Sequence, residues 1–151
     1  MINTIKLKKA YAIASDLFSV ALTSQLISTL QKQSYSLITY IPAHPQKLRL
    51  RGFNLSEIFA RKLSLLLNVP LQPLLQKNRP TTPQSELTAA ARILNLSDVF
   101  QPIFVSQSLQ NSNILLVDDI LTTGTTLEVA AGVLQKHYAP TSISAFVLCA
   151  K

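Results

Sequence analysis

The run Ile114-Leu115-Leu116-Val117, followed at once by Asp118-Asp119, limits the fold of this chain more than any other stretch. A strand with one wet face alternates apolar and polar residues. A continuously aliphatic strand is covered on both faces, as in a parallel sheet between helices. The strand then delivers two carboxylates, Asp118 and Asp119, at its C-terminal end. In open α/β sheets that end is where ligands bind. The next residues carry Thr122, Thr123, Gly124, Thr125 and Thr126, and helical spacing then runs from Thr125 to Tyr138. Gly124 permits a turn that other residues resist. Amides and hydroxyls around it can converge on an anion at the helix N-terminus.

The rest of the chain fits such a sheet. Apolar residues from Ala10 to Leu30 recur at helical spacing over residues 8–31, with Ser15 and Asp16 as a restart cap. Ser36 to Ile41 reads as a buried strand stopped by Pro42, and Ala43 to Gly52 as a basic loop. Residues 53–68 return to helical spacing, with Asn54 and Glu57 in a capping-box pattern. Val69 to Leu75 is a proline-broken edge-strand candidate, residues 76–98 a long loop, and Phe100 to Val105 another short strand. Ser142 to Ala150 alternates as a closing strand, with Cys149 expected as a small core residue. Repeated strand–helix–strand order predicts one α/β domain over residues 1–151, a parallel β-sheet flanked by helices.

Composition removes several classes. With 48% hydrophobic and 14% charged residues the chain is a globular one. A single cysteine forms neither an internal disulfide nor a zinc site. No apolar leader region follows Met1 and no run of about 18 apolar residues occurs, so a cytoplasmic protein without a membrane span is expected. The formal net charge is +7. Lys47, Arg49, Arg51, Arg61, Lys62, Lys77, Arg79 and Arg92 face only Glu57 and Glu86 over one stretch. Such a patch suits a polyphosphate, a nucleic acid or an acidic partner, and equally a plain solvated surface.

Rival phosphate motifs do not fit the 118–126 loop. A Walker loop needs Gly-x4-Gly-Lys and a dinucleotide fingerprint needs three spaced glycines; neither occurs in a chain with three glycines in all. A receiver domain opening on the same apolar-acidic string would need far more than the ~35 residues that follow. Val117-Asp118-Asp119-x-x-Thr122-Thr123-Gly124-x-Thr126 instead resembles the motif that binds phosphoribosyl pyrophosphate (PRPP) in type I phosphoribosyltransferases, whose fold is Rossmann-like. The resemblance implies that Asp118 and Asp119 hold the ribose hydroxyls, directly or through Mg²⁺ and water, and are the catalytic carboxylates. It implies that Leu121, Thr122, Thr123, Gly124, Thr125 and Thr126 hold the 5-phosphate. The reaction implied is displacement of pyrophosphate from the anomeric carbon by a nitrogen nucleophile. Enzymes of this kind for 6-oxopurines place an acidic residue where Thr122 stands.

A narrower resemblance rests on Ile41-Pro42, Arg51-Gly52-Phe53-Asn54, Glu57 and Ala60, and on Arg79, Thr81, Gln84, Leu87, Arg92 and Asn95. These are similar to the ComF family of competence-associated, phosphoribosyltransferase-like proteins. That resemblance implies pyrophosphate binding near Arg51 and Gly52, and a mobile loop carrying Arg79, Gln84 and Arg92. The family's N-terminal cysteine-rich zinc segment is absent from this sequence. Leu55 replaces its usual glutamine, and Ala89, Ala90 and Ala91 dilute a region richer in charge elsewhere. The functional expectation is a PRPP-binding protein that transfers phosphoribosyl groups. The alternative is a non-catalytic adaptor in DNA uptake that binds single-stranded DNA or DNA-processing proteins. His44 is expected to be solvated, with phosphate contact the alternative. His137 serves a helix C-terminus, and Arg61 and Lys62 lie on a solvated helix face. The stripe at 10–30 is expected in the core, with a homodimer contact as the alternative.

Overall fold

The structure, a computed structural model, describes residues 23–78 and 99–150. Expectations for residues 1–22 and 79–98, including the Ser15-Asp16 cap and the loop residues Arg79, Gln84 and Arg92, lie outside the described residues. The elements in chain order are α1 (Ser24–Lys32), β1 (Leu37–Tyr40), α2 (Pro45–Arg51), α3 (Leu55–Leu67), β2 (Leu75–Lys77), β3 (Phe100–Pro102), β4 (Asn113–Leu121), α4 (Thr125–Tyr138) and β5 (Ser142–Ala150).

The main sheet is parallel, in the order β1-β4-β5. The aliphatic run sits in its centre, with Ile114, Leu115, Leu116 and Val117 all buried. Residue parity divides that run between two cores, because successive side chains point to opposite faces. Leu115 and Val117 join Ile38 and Phe146 against α1 and α3, through Leu30, Ile58, Phe59, Ala60 and Leu63. Ile114 and Leu116 join Leu37 against α4 and the β2–β3 pair, through Ala130, Leu134, Leu75 and Phe100. Each large aliphatic side chain removed from water this way contributes about 1.5–3 kcal/mol.

The antiparallel pair β2–β3 is a separate two-stranded sheet, in register Leu75↔Pro102 to Lys77↔Phe100. Three polar contacts fasten it to the main body. The Leu74 amide donates to Thr39 Oγ1 at 3.2 Å, and the Tyr138 hydroxyl reaches the carbonyls of Leu74 (2.9 Å) and Ile103 (2.6 Å).

Several sequence expectations change. The basic stretch expected as a loop forms α2, because Pro45 presets helical φ at the first position and Gly52 ends the helix at φ 82°. Of the Val69–Leu75 strand, only an isolated bridge Ile38↔Leu71 forms before β2 begins. The strand expected at Phe100–Val105 stops at Pro102. Asn54 occupies the N-cap of α3 but makes no side-chain cap; its amide donates to the Ile41 carbonyl at 2.9 Å, and Glu57 pairs with Arg61 at 2.7 Å. Cys149, expected in the core, is exposed on β5. In the last stretch the bounds agree: α4 and β5 match the expected Thr125–Tyr138 and Ser142–Ala150.

Candidate active site

Asp118 is the point where β4 leaves the core. It is 6% exposed. One of its oxygens, Oδ1, accepts two hydrogen bonds: from Ser56 Oγ at 3.0 Å and from the Asp119 amide at 2.9 Å. Ser56 lies in the first turn of α3, so this bond ties the start of that helix to the end of β4 across 62 residues of sequence. Together with Asn54 on Ile41, it fixes α3 against the ends of two neighbouring strands.

A hollow of about 160 Å³ opens at this sheet end. Asp118 and Asp119 form one part of its wall. His44, Lys47, Arg51 and Lys77 form another, supplied by the start of α2, α2 itself and the end of β2. The arrangement sets two carboxylates against three cationic side chains, which suits a ligand with hydroxyls or a cation at one end and phosphate oxygens at the other.

Burial sets the electrostatics here. It pushes the Asp118 carboxyl up to about 7, and the charge of Asp119 adds to the rise, while the Asp119 amide and Ser56 oppose it. Burial also brings the Lys77 ammonium down to about 8; Lys47 lowers it further and Asp118 works the other way. Lys77 stands over the Phe100 ring at 5.6 Å from the centroid. Opposed shifts of this kind in one hollow are typical of functional sites.

The loop after β4 runs directly into α4. Gly124 holds φ 78° at the N-cap, in the left-handed region that glycine enters without strain. Thr123 and Thr125 hydroxyls lie 3.0 Å apart. The first turn of a helix has amide N–H groups with no intrahelical acceptor, and here they follow the threonine loop. Leu121, Thr122, Thr123, Thr125 and Thr126 are thus assembled around one helix start, adjoining the acidic pair but not lining its hollow.

Of the pair expected at the pyrophosphate end, Arg51 lines the hollow and Gly52 does not. The Gly52 amide closes α2 by donating to the Leu48 carbonyl at 2.7 Å, so it is engaged within the chain. His44, expected to be solvated, is 7% exposed and lines the hollow. Sequence reading missed Ser56 as a site residue and named Lys47 and Lys77 only within the broad basic patch. For Lys77 the one available signal was a lysine preceding the long polar stretch. Ser56 gave none, since its partner is 62 residues away. A larger hollow, about 390 Å³, lies by the C-terminus of α4, with Phe104 and Tyr138 in a wall that, among the described residues, has no carboxylate, lysine or arginine.

Comparison with known proteins agrees with this layout. The family model described as phosphoribosyl transferase domain matches residues 51–151. The chain is 31% identical over 87 residues to Competence protein F of Haemophilus influenzae, a stretch covering 57% of this chain and 38% of that protein. It is 28% identical over 152 residues to DNA utilization protein YhgH of Escherichia coli O157:H7, covering 99% of this chain and 65% of that one. The chain therefore spans less than two thirds of the length of either relative. Among solved structures, a hypoxanthine phosphoribosyltransferase from Staphylococcus aureus superposes with TM-score 0.54 at 19% identity, covering 91% of this chain and 65% of that one. A purine phosphoribosyltransferase from Pyrococcus horikoshii gives 0.52 at 18%, covering 91% and 72%. Both show a shared fold, the type I phosphoribosyltransferase architecture. With a parallel sheet, an acidic pair near the C-terminal end of its central strand and a family match over residues 51–151, the chain belongs to the phosphoribosyl transferase domain family, and its named relatives bear out the ComF resemblance.

Proposed function

We propose that this chain binds PRPP together with Mg²⁺ and transfers its phosphoribosyl group to a nitrogen nucleophile. The observation that carries the reading is the junction at the end of β4, where a fixed carboxylate pair faces Lys47, Arg51 and Lys77 and leads into a glycine-turned helix start. Asp118 and Asp119 orient the ribose hydroxyls and favour positive charge developing on the ribosyl ring. The basic wall receives the diphosphate, and the 121–126 loop the 5-phosphate. Two adjacent carboxylates supply hard oxygen donors, and among the described residues no cluster of three His, Cys, Asp or Glu is present. That donor set fits Mg²⁺ held jointly by protein and substrate phosphates, and not a cage built by protein alone. Bound there, Mg²⁺ would neutralise charge on the departing pyrophosphate. Calorimetric titration with PRPP, with and without Mg²⁺, followed by pyrophosphate-release assays over amine and base acceptors, tests the reading. Saturable, Mg²⁺-dependent binding is expected; absence of PRPP binding under both conditions would overturn it.

A second reading, an adaptor for single-stranded DNA, is favoured by one observation. Helix α2 exposes Lys47, Arg49 and Arg51 with no acidic residue in its first turn, and a relative is named for DNA utilization. Phe59, one of the two aromatic residues within the basic stretch, is fully buried, which removes it from base stacking. On this reading DNA affinity falls steeply with salt, and Arg49→Ala lowers the slope of log K against log salt by about 0.7. A slope unchanged by Arg49→Ala would remove α2 from the DNA surface.

A further inference from the structure

We propose that Ser56 is a positioning residue of this site: its hydroxyl holds Oδ1 of Asp118 and so leaves Oδ2 to face the ribose hydroxyls of the ligand. The inference rests on the PRPP reading and adds a residue that lies outside both the 118–126 loop and the basic wall. Three observations carry it. First, Ser56 Oγ donates to Asp118 Oδ1 at 3.0 Å, and both residues line the hollow although they are only 3% and 6% exposed. Second, the Asp119 amide donates to the same oxygen at 2.9 Å. A carboxylate oxygen has two lone pairs, so the protein occupies Oδ1 and a ligand meets Oδ2. Third, the donor stands on a rigid support. Asn54, two residues earlier, ties the start of α3 to the Ile41 carbonyl at 2.9 Å, and Ile58, Phe59 and Ala60 anchor the next turn in the core.

Two donors are needed because the last torsion of an aspartate is broad and roughly two-fold. A single hydrogen bond leaves the carboxylate plane free to pivot about the bonded oxygen. The Asp119 amide belongs to the next residue of the same strand, so it moves with Asp118. Ser56 supplies an independent second point, from a helix packed against that strand. A substrate-orienting group misplaced by about 1 Å can lose on the order of 10²-fold in rate. A serine that merely satisfied a buried carboxyl would matter equally to every ligand. One that aims Asp118 matters only to ligands that carry a ribose.

The test compares ligands that share a phosphate and differ in the sugar. PRPP with Mg²⁺, ribose 5-phosphate and inorganic phosphate are each titrated into the whole chain, wild type and Ser56→Ala, beside thermal melts. Ser56→Ala is expected to weaken PRPP and ribose 5-phosphate about tenfold, and inorganic phosphate by less than about twofold. In an Asp118→Ala background the same change is expected to cost ribose 5-phosphate less than about twofold, because no carboxylate is left to aim. Ser56→Cys, close in volume but a weak donor, repeats the comparison should the alanine variant melt early. Equal losses for ribose 5-phosphate and inorganic phosphate would overturn the assignment, as would a loss that persists without Asp118. Ribose 5-phosphate affinity unchanged in Ser56→Ala would sink this inference alone. A wild-type chain that binds neither PRPP nor ribose 5-phosphate would sink the functional reading as well.

Discussion

Ser56 and the Asp119 amide both donate to Asp118 Oδ1, yet burial still holds that carboxyl near 7 against an ordinary 3.8. A carboxyl raised on folding binds its proton more tightly in the native state. Its stabilising effect is complete below about pH 4 and is lost as pH rises to about 7, where the native group ionises. Above that the ligand-free site carries a charge it shelters poorly. Asp118→Asn keeps an oxygen for both donors and removes the charge. The variant is therefore expected to melt higher than wild type at pH 8, by roughly 3 °C for each kcal/mol relieved, with the difference vanishing toward pH 4. Melts of ligand-free protein across that range decide it; a lower melting point at pH 8 would contradict the burial assignment. Mg²⁺-dependent PRPP binding should fall in the same variant. At this scale the acidic pair was legible because two carboxylates placed directly after an aliphatic run mark the end of the buried stretch of that strand. Ser56 and the buried state of His44 were not, and Lys47 and Lys77 only as part of a basic patch, because distant chain segments bring them to the hollow.

The loop from Leu121 to Thr126 works as a unit with α4, and Gly124 sets its shape. A Cβ added there would meet nothing closer than Leu121 Cδ1 at 3.9 Å, so space is not the constraint; φ of 78° is. A β-branched residue resists that region, at a cost of order 1–3 kcal/mol. Gly124→Val is expected to leave the chain folded but abolish PRPP and inorganic phosphate binding, as the loop amides swing away. Unchanged affinity in a folded Gly124→Val protein would remove the loop from the site. Elements whose pattern is local were read well: β4, α4 and β5 follow from an aliphatic run, a helical period and an alternation. Helix α2 was not, because Lys47-Leu48-Arg49-Leu50-Arg51 alternates at period two and mimics an extended basic stretch. Its real signal lay at the ends, in Pro45 at the first turn and Gly52 after the last. Asn54 shows the opposite case, a cap signature whose side chain is drawn to Ile41 by tertiary contact.

Across the molecule the fold is shared with purine and hypoxanthine phosphoribosyltransferases. Thr122, exposed at the site's edge, has a hydroxyl too weak as acid or base to move a purine-ring proton near neutral pH. No useful pyrophosphate release is expected with hypoxanthine or guanine, and an amine should serve better. Release driven by either purine and lost in Thr122→Val would refute this.

The narrow β2–β3 pair has a consequence for the site. Lys77 sits opposite Phe100, and the Asn78 amide donates to the Val99 carbonyl at 3.1 Å, so the chain departs from and returns to one neck. The register of that pair holds residues 78 and 99 side by side, although they are far apart in the sequence. Lys77 fixes that neck beside the hollow. The pairing therefore has a second use: it holds a cation of the hollow in place from across the sequence, so a change at Val99 or Phe100 is felt at the mouth of the site.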